Sequence, residues 1–233
     1  MELEARRKVD IPIRQLTDIY KRLSSVFGES TTIIGGRAVN LLCFHSKRDT
    51  NDIDIVIDPS VFTKNLLRQP SAYNDITNRI IDSGFLIDSS KGPLSSIVDR
   101  ESGICVDVYF SRDVSGIPIS NIIKDSVEMT MQVGGTSAKI RVASPFHMIM
   151  MKYNTFLSNE NGRGSRGNKD GNDIKNLIQN HYGDVKGFLD KERTKICEMF
   201  DGKEDMGLFI QTLMLAFFNN FKRQEAEAYY PPK

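Results

Sequence analysis

Two short runs in this 233-residue chain constrain its fold most, because both set carboxylates inside otherwise apolar, strand-forming sequence. The first is Asp52-Ile53-Asp54-Ile55-Val56-Ile57 and the second Ile104-Cys105-Val106-Asp107-Val108-Tyr109-Phe110. Side chains alternate faces along a strand, so Asp52 and Asp54 share one face while Ile53, Ile55 and Ile57 take the other. By the same alternation, Ile104, Val106, Val108 and Phe110 form one apolar face and Asp107 stands opposite. Strands of this kind need a sheet with one face on a core and the acids on the other.

Asp52 and Asp54 lie about 6.6–7 Å apart along such a strand, and a paired neighbour runs about 4.8 Å away. If the two runs pair, three carboxylates converge, an arrangement that is unfavourable until cations neutralise it. Hard divalent ions with oxygen ligands suit it best, and Mg²⁺, which completes its octahedron with phosphate oxygens and water, leads. Upstream, Thr31-Thr32-Ile33-Ile34 reads as a short buried strand, and 37–44 carries Ala38, Leu41 and Leu42 at helical spacing. Gly35-Gly36 sits at that switch, where missing Cβ atoms let backbone N–H groups approach an anion at a helix start. The pattern predicts a triphosphate between the glycine turn and the metals.

At these residues the chain resembles the nucleotidyltransferase superfamily, the fold shared by DNA polymerase beta and the aminoglycoside and lincosamide nucleotidyltransferases. The family pattern is an apolar strand, Gly-Gly or Gly-Ser, a spacer, Asp-x-Asp and a third acid on a later strand. The nearer resemblance is to abortive-infection and toxin–antitoxin nucleotidyltransferases, through Gly35-Gly36-Arg37-Ala38-Val39 and Arg48-Asp49-Thr50-Asn51-Asp52-Ile53-Asp54. It continues through Val142-Ala143-Ser144-Pro145, Met151-Lys152 and the segment from Arg166 to Ile174, covering about residues 30 to 178. The resemblance implies an α+β fold, a mixed β-sheet flanked by helices, followed by a C-terminal helical domain. It implies Asp52, Asp54 and Asp107 as catalytic metal ligands, with Asp107 also a candidate general base. It further implies nucleotide contacts from Gly35, Gly36, Arg37, Arg48, Lys152 and Lys169, with Mg²⁺ or Mn²⁺ as cofactor and an NTP as co-substrate. Arg48 reads equally well as a brace for a carboxylate, and Lys152 as a snorkelling lysine on a buried helix.

Elsewhere the periodicity predicts an amphipathic helix over Ile13 to Phe27 with Pro12 at its entrance. Helices are expected at Val61 to Leu67 and Ile76 to Ile81, and strands at Phe85 to Ile87 and Ser95 to Val98. Gly134-Gly135 separates two strand-like runs and reads as a hairpin turn. Ser144 is a natural N-cap with Pro145 at the first helical position, and helical sequence dominates thereafter. The boundary is therefore set near Ala143, with a catalytic domain over 1–143 and a helical domain over 144–233. Asp170 and Asp173 fall at a helix start, where they favour the helix dipole. Helices are also expected around Asp184 to Phe200 and Asp205 to Tyr229.

Charge is nearly balanced, with 31 Lys and Arg against 30 Asp and Glu, so no global field advertises a nucleic-acid partner. Three scattered cysteines lack metal or redox spacing and fit a reducing compartment. His45, His147 and His181 form no ligand pattern and read as structural. The charged opening residues lack a secretory signal, and no apolar stretch approaches the roughly 20 residues needed to cross a bilayer. A cytoplasmic protein without a membrane partner is expected.

The resulting expectation is an enzyme that moves a nucleoside monophosphate from an NTP to an acceptor hydroxyl and releases pyrophosphate. The acceptor, whether tRNA or other RNA, protein or small molecule, is left open, as is a toxin or antitoxin partner. The alternative is a nucleotidyltransferase-fold antitoxin or regulatory binding module with little catalysis. A third reading, an antibiotic-modifying enzyme, requires an acidic drug pocket that the sequence does not display.

Overall fold

The computed structural model of the chain describes residues 11–43, 50–61, 70–92, 94–158 and 169–181. The chain divides into two compact units, Met1–Met148 and Ile149–Lys233. In the first, helix α1 (Ile13–Phe27) leads through β1 (Thr32–Ile34) and α2 (Gly35–Leu42) to β2 (Asp52–Val56). Helix α3 (Pro70–Asp82) precedes β3 (Phe85–Ile87), β4 (Ser96–Asp99) and β5 (Cys105–Tyr109). A small hairpin, β6 (Asp113–Val114) and β7 (Ile117–Pro118), runs into α4 (Ile119–Lys124). The long hairpin of β8 (Val127–Val133) and β9 (Thr136–Val142) then leads to α5 (Pro145–Ser158), which passes from the first unit into the second after Met148.

Seven strands form one mixed sheet in the order β3-β4-β5-β2-β1-β9-β8. The β2–β5 and β1–β9 pairs are parallel and the rest antiparallel. Pairing two parallel strands requires a crossover, and α3, β3 and β4 supply it between β2 and β5. Ile33, Ile53, Ile55, Ile97, Val106 and Val108 are all buried, so the apolar alternation of the sequence becomes the core face. Truncating an isoleucine at such a position to alanine typically costs about 2–5 kcal/mol.

Helix α1 follows its apolar spacing, burying Leu16, Ile19, Tyr20, Leu23, Val26 and Phe27. Gly28, at φ 93°, ends it and donates its N–H to Ser24. Two polar ties then fasten the helix to the sheet. The Tyr20 hydroxyl donates to the Thr31 carbonyl at 2.8 Å and accepts the Arg141 N–H at 3.0 Å. Arg22 donates to Asp99 at 2.8 Å and to the Ser83 carbonyl at 3.2 Å, with its guanidinium 4.9 Å from the centre of the Phe85 ring. Burial alone would raise the Asp99 pKa, but hydrogen bonds from Ser102 and Arg22 hold it below the usual carboxylate value.

Among the described residues the expected elements recur with shifted bounds, the largest shift being α3, which starts at Pro70 where the periodicity predicts Ile76. Helix α2 begins at Gly35 rather than Arg37, placing both glycines inside its first turn. Strand β2 ends at Val56, Ile57 still donates its N–H to the Tyr109 carbonyl at 3.1 Å, and Asp58 then accepts the Ser60 N–H at 2.8 Å at a short 3₁₀ turn over Pro59–Val61. The rest of the helix expected to Leu67 lies outside the described residues, as do the helices expected beyond 181. The β6–β7 hairpin and α4 have no counterpart in the sequence reading, because two-residue strands carry no measurable alternation.

At the start of α5, Ser144 receives the His147 N–H at 3.3 Å, and its hydroxyl lies 3.0 Å from Nδ1 of the same residue. His147 is fully buried, which pushes its pKa below 6.5, while Asp125, 3.9 Å away, pulls the other way. In the second unit a helix runs through 169–181, with Ile174, Leu177 and Ile178 buried.

Candidate active site

Strand register brings the acids together. Asp54 lies directly opposite Asp107 across the parallel β2–β5 pair, and Asp52 precedes Asp54 on the same face. Asp54 is also opposite Ile34 in the antiparallel β1–β2 pair, so the glycine turn that follows Ile34 lies against this acid. Gly35 has φ +69°, and a Cβ built there would overlap the Asp54 carboxylate. Both the backbone conformation and the space therefore demand glycine, a requirement separate from any approach of phosphate.

Three further side chains complete this face, none of them singled out in the sequence. Ser96 is opposite Asp107 on the antiparallel β4–β5 pair and donates its hydroxyl to Oδ1 at 2.9 Å. Lys91 reaches the same carboxylate from the turn before β4, with Nζ 2.8 Å from Oδ1 and 3.0 Å from Oδ2. Tyr109, two residues beyond Asp107 on the same face, lies 3.4 Å from Asp54 Oδ1. Burial raises the Tyr109 pKa most, and the charges of Asp54, Asp107 and Asp52 raise it further. The phenol thus stays protonated and registers the negative potential of all three acids. Ser96 was legible only with the register known, and Lys91 only with the turn's path.

A cleft of about 320 Å³ opens beside Asp107, with Lys91, Ser95, Tyr109 and Ser111 in its walls. It flanks the acids on the β4–β5 side, whereas the glycine turn flanks them on the β1 side.

The donor chemistry of the acid face suits a hard divalent cation, since Asp52, Asp54 and Asp107 offer only carboxylate oxygens. Among the described residues, however, no three acidic, His or Cys side chains already surround one point at ligand distance. Asp107 is instead turned into its contacts with Lys91 and Ser96.

The remaining expected nucleotide contacts are placed as follows. Arg37 is buried, and its Nη2 donates to the Thr50 carbonyl at 2.9 Å, bracing the entry to β2. Gly36 is buried in the first turn of α2. Arg48 lies outside the described residues. In the second unit, Lys152 lies between two carboxylates, 2.9 Å from Asp170 and 3.1 Å from Asp173, while Lys169 is exposed at the start of the 169–181 helix.

No family model matches the chain, and no curated protein matches it in sequence. Among solved structures it is similar to an antigenic nucleotidyltransferase-like protein from Paracoccidioides brasiliensis. That likeness has 17% identity and a TM-score of 0.45, covering 84% of this chain and 96% of the other. Among the described residues no helix is long and apolar enough to cross a membrane.

Proposed function

We propose that this protein is a metal-dependent nucleotidyltransferase that moves an NMP from an NTP to an acceptor hydroxyl and releases pyrophosphate. The observation that carries the reading is the direct opposition of Asp54 and Asp107, with Asp52 on the same face and Gly35 packed without a Cβ against Asp54. Asp52, Asp54 and Asp107 would hold Mg²⁺ or Mn²⁺, which in such a site offsets triphosphate charge and acidifies the attacking hydroxyl.

The chain's own groups then have distinct tasks. Gly35 and Gly36 let the backbone close on the triphosphate. The acceptor oxygen attacks the α-phosphorus, the bond to the β-phosphate oxygen breaks, and the hydroxyl proton passes to Asp107. Ser96 keeps the Asp107 carboxylate oriented for that transfer, and Tyr109 braces Asp54. Positioning and charge complementarity supply most of the acceleration in phosphoryl chemistry of this kind. The resemblance to abortive-infection and toxin–antitoxin enzymes extends the reading to a role in defence, with RNA, protein and small molecules as acceptor classes. A binding module with little catalysis is the second reading, favoured by the ion pair that engages both oxygens of Asp107.

The test is transfer of label from each α-labelled NTP, with Mg²⁺ or Mn²⁺, to pools of RNA, protein and small-molecule acceptors. Label transfer that falls by about 10²–10³-fold in Asp52→Asn and Asp107→Asn, the scale of losing one electrostatic stabiliser, is the expected result. Absence of transfer, without any NTP-dependent thermal shift, would overturn the reading in favour of the binding module.

A further inference from the structure

We propose that Lys91 is an internal counter-cation that competes with the divalent ion for Asp107. The inference rests on the metal-dependent reading above. Three carboxylates on one sheet face repel one another, and a cation at any of them relieves the strain. Lys91 supplies that cation by contacting both Asp107 oxygens, so the ammonium and a divalent ion would draw on the same lone pairs.

The surroundings separate a fixed part from an exchangeable part. The turn that carries Lys91 is pinned on both sides: Asp88 Oδ1 accepts the Ser90 N–H at 3.0 Å and the Ser90 hydroxyl at 2.6 Å, the Asp88 N–H reaches the Ser96 carbonyl at 2.9 Å, and the Gly92 N–H reaches the Ser89 carbonyl at 3.4 Å. The Lys91 side chain is different, being 38% exposed on the wall of the cleft, so the ammonium can swing into water without burying its charge. Ser96, fully buried, remains on Asp107 when Lys91 leaves and preserves the carboxylate's orientation. Lys91 is thus a positioning residue that keeps Asp107 neutralised until the metal arrives.

The experiment measures Mn²⁺ binding to the full chain by electron paramagnetic resonance, without nucleotide, in wild type, Lys91→Met, Lys91→Gln, Asp52→Asn, Asp107→Asn, Lys139→Met and the Lys91→Met/Asp107→Asn double variant. The expected result is about fivefold tighter Mn²⁺ binding in both Lys91 variants, the worth of a partly exposed ion pair. The gain should vanish in the Asp107→Asn background, because the cycle isolates the Lys91–Asp107 term. Lys139→Met, which removes the same charge from β9, should leave binding unchanged. Equal affinity in wild type and the Lys91 variants, a gain that survives Asp107→Asn, or an equal gain in Lys139→Met would each overturn the proposal. Wild-type binding that Asp52→Asn abolishes, with no Lys91 effect, sinks this inference and leaves the metal-dependent reading standing. No Mn²⁺ binding by any variant, either alone or with NTP added, sinks both.

Discussion

Two lysines in this protein each face carboxylates, yet their surroundings make them different devices. Lys91 and Asp107 have side chains 38% and 19% exposed, whereas Lys152, Asp170 and Asp173 are at 12%, 4% and 4%. An exposed pair gains little net energy, because water competes for both charges. A buried group of one lysine and two carboxylates cannot lose its cation without stranding charge away from water. The first arrangement is open to exchange with solvent ions, and the second is locked.

The largest expected effect lies on the locked side. Lys152→Met should destabilise the second unit by about 3–5 kcal/mol, against about 0–1 kcal/mol in the first unit for Lys91→Met. Urea denaturation followed by circular dichroism measures both, and equal losses would erase the contrast. Next comes the backbone of the acid face, where side chains exchange but the chain path does not. Gly35→Ala should cost about 1–2 kcal/mol from its left-handed φ alone, and displacing Asp54 should lower nucleotidyl transfer much further. A variant that melts lower but transfers normally would separate the glycine from the site.

The smallest effect concerns His147, a buried group whose pKa burial lowers. Burial sets its pKa below 6.5, so the folded state binds its proton less readily than the unfolded chain. Its contribution to stability is complete above pH 6.5 and declines as pH falls below that value. Thermal melts across that range should show the decline in wild type and a smaller one in His147→Gln. The Asp99 carboxylate, with its pKa below 3.8, adds a second loss only at more acidic pH.

Much of the fold was legible because burial writes a period into sequence. Ile53 and Ile55 alternate with Asp52 and Asp54, and α1 repeats its apolar residues at helical spacing with the bounds expected, Ile13–Phe27. The β6–β7 hairpin was illegible because two-residue strands are too short to show a period. The candidate site was legible in its acids and glycines, whose chemistry is rare inside apolar runs. It was illegible in Lys91, Ser96 and Tyr109, because a lysine in a short 3₁₀ turn, a serine in a strand and a tyrosine near a strand end are ordinary residues. Only partners distant in sequence give them meaning.

The sequence alone determined that Asp52 and Asp54 share a face, that Asp107 opposes an apolar stripe, and that a glycine pair separates strand from helix. Those are consequences of local geometry, repeated every two residues. Tertiary structure alone decided that β5 lies parallel to β2 with Asp107 opposite Asp54, and that β4 brings Ser96 and the Lys91 turn against the same acid. Register between strands is set by packing over the whole sheet, and no residue carries it locally.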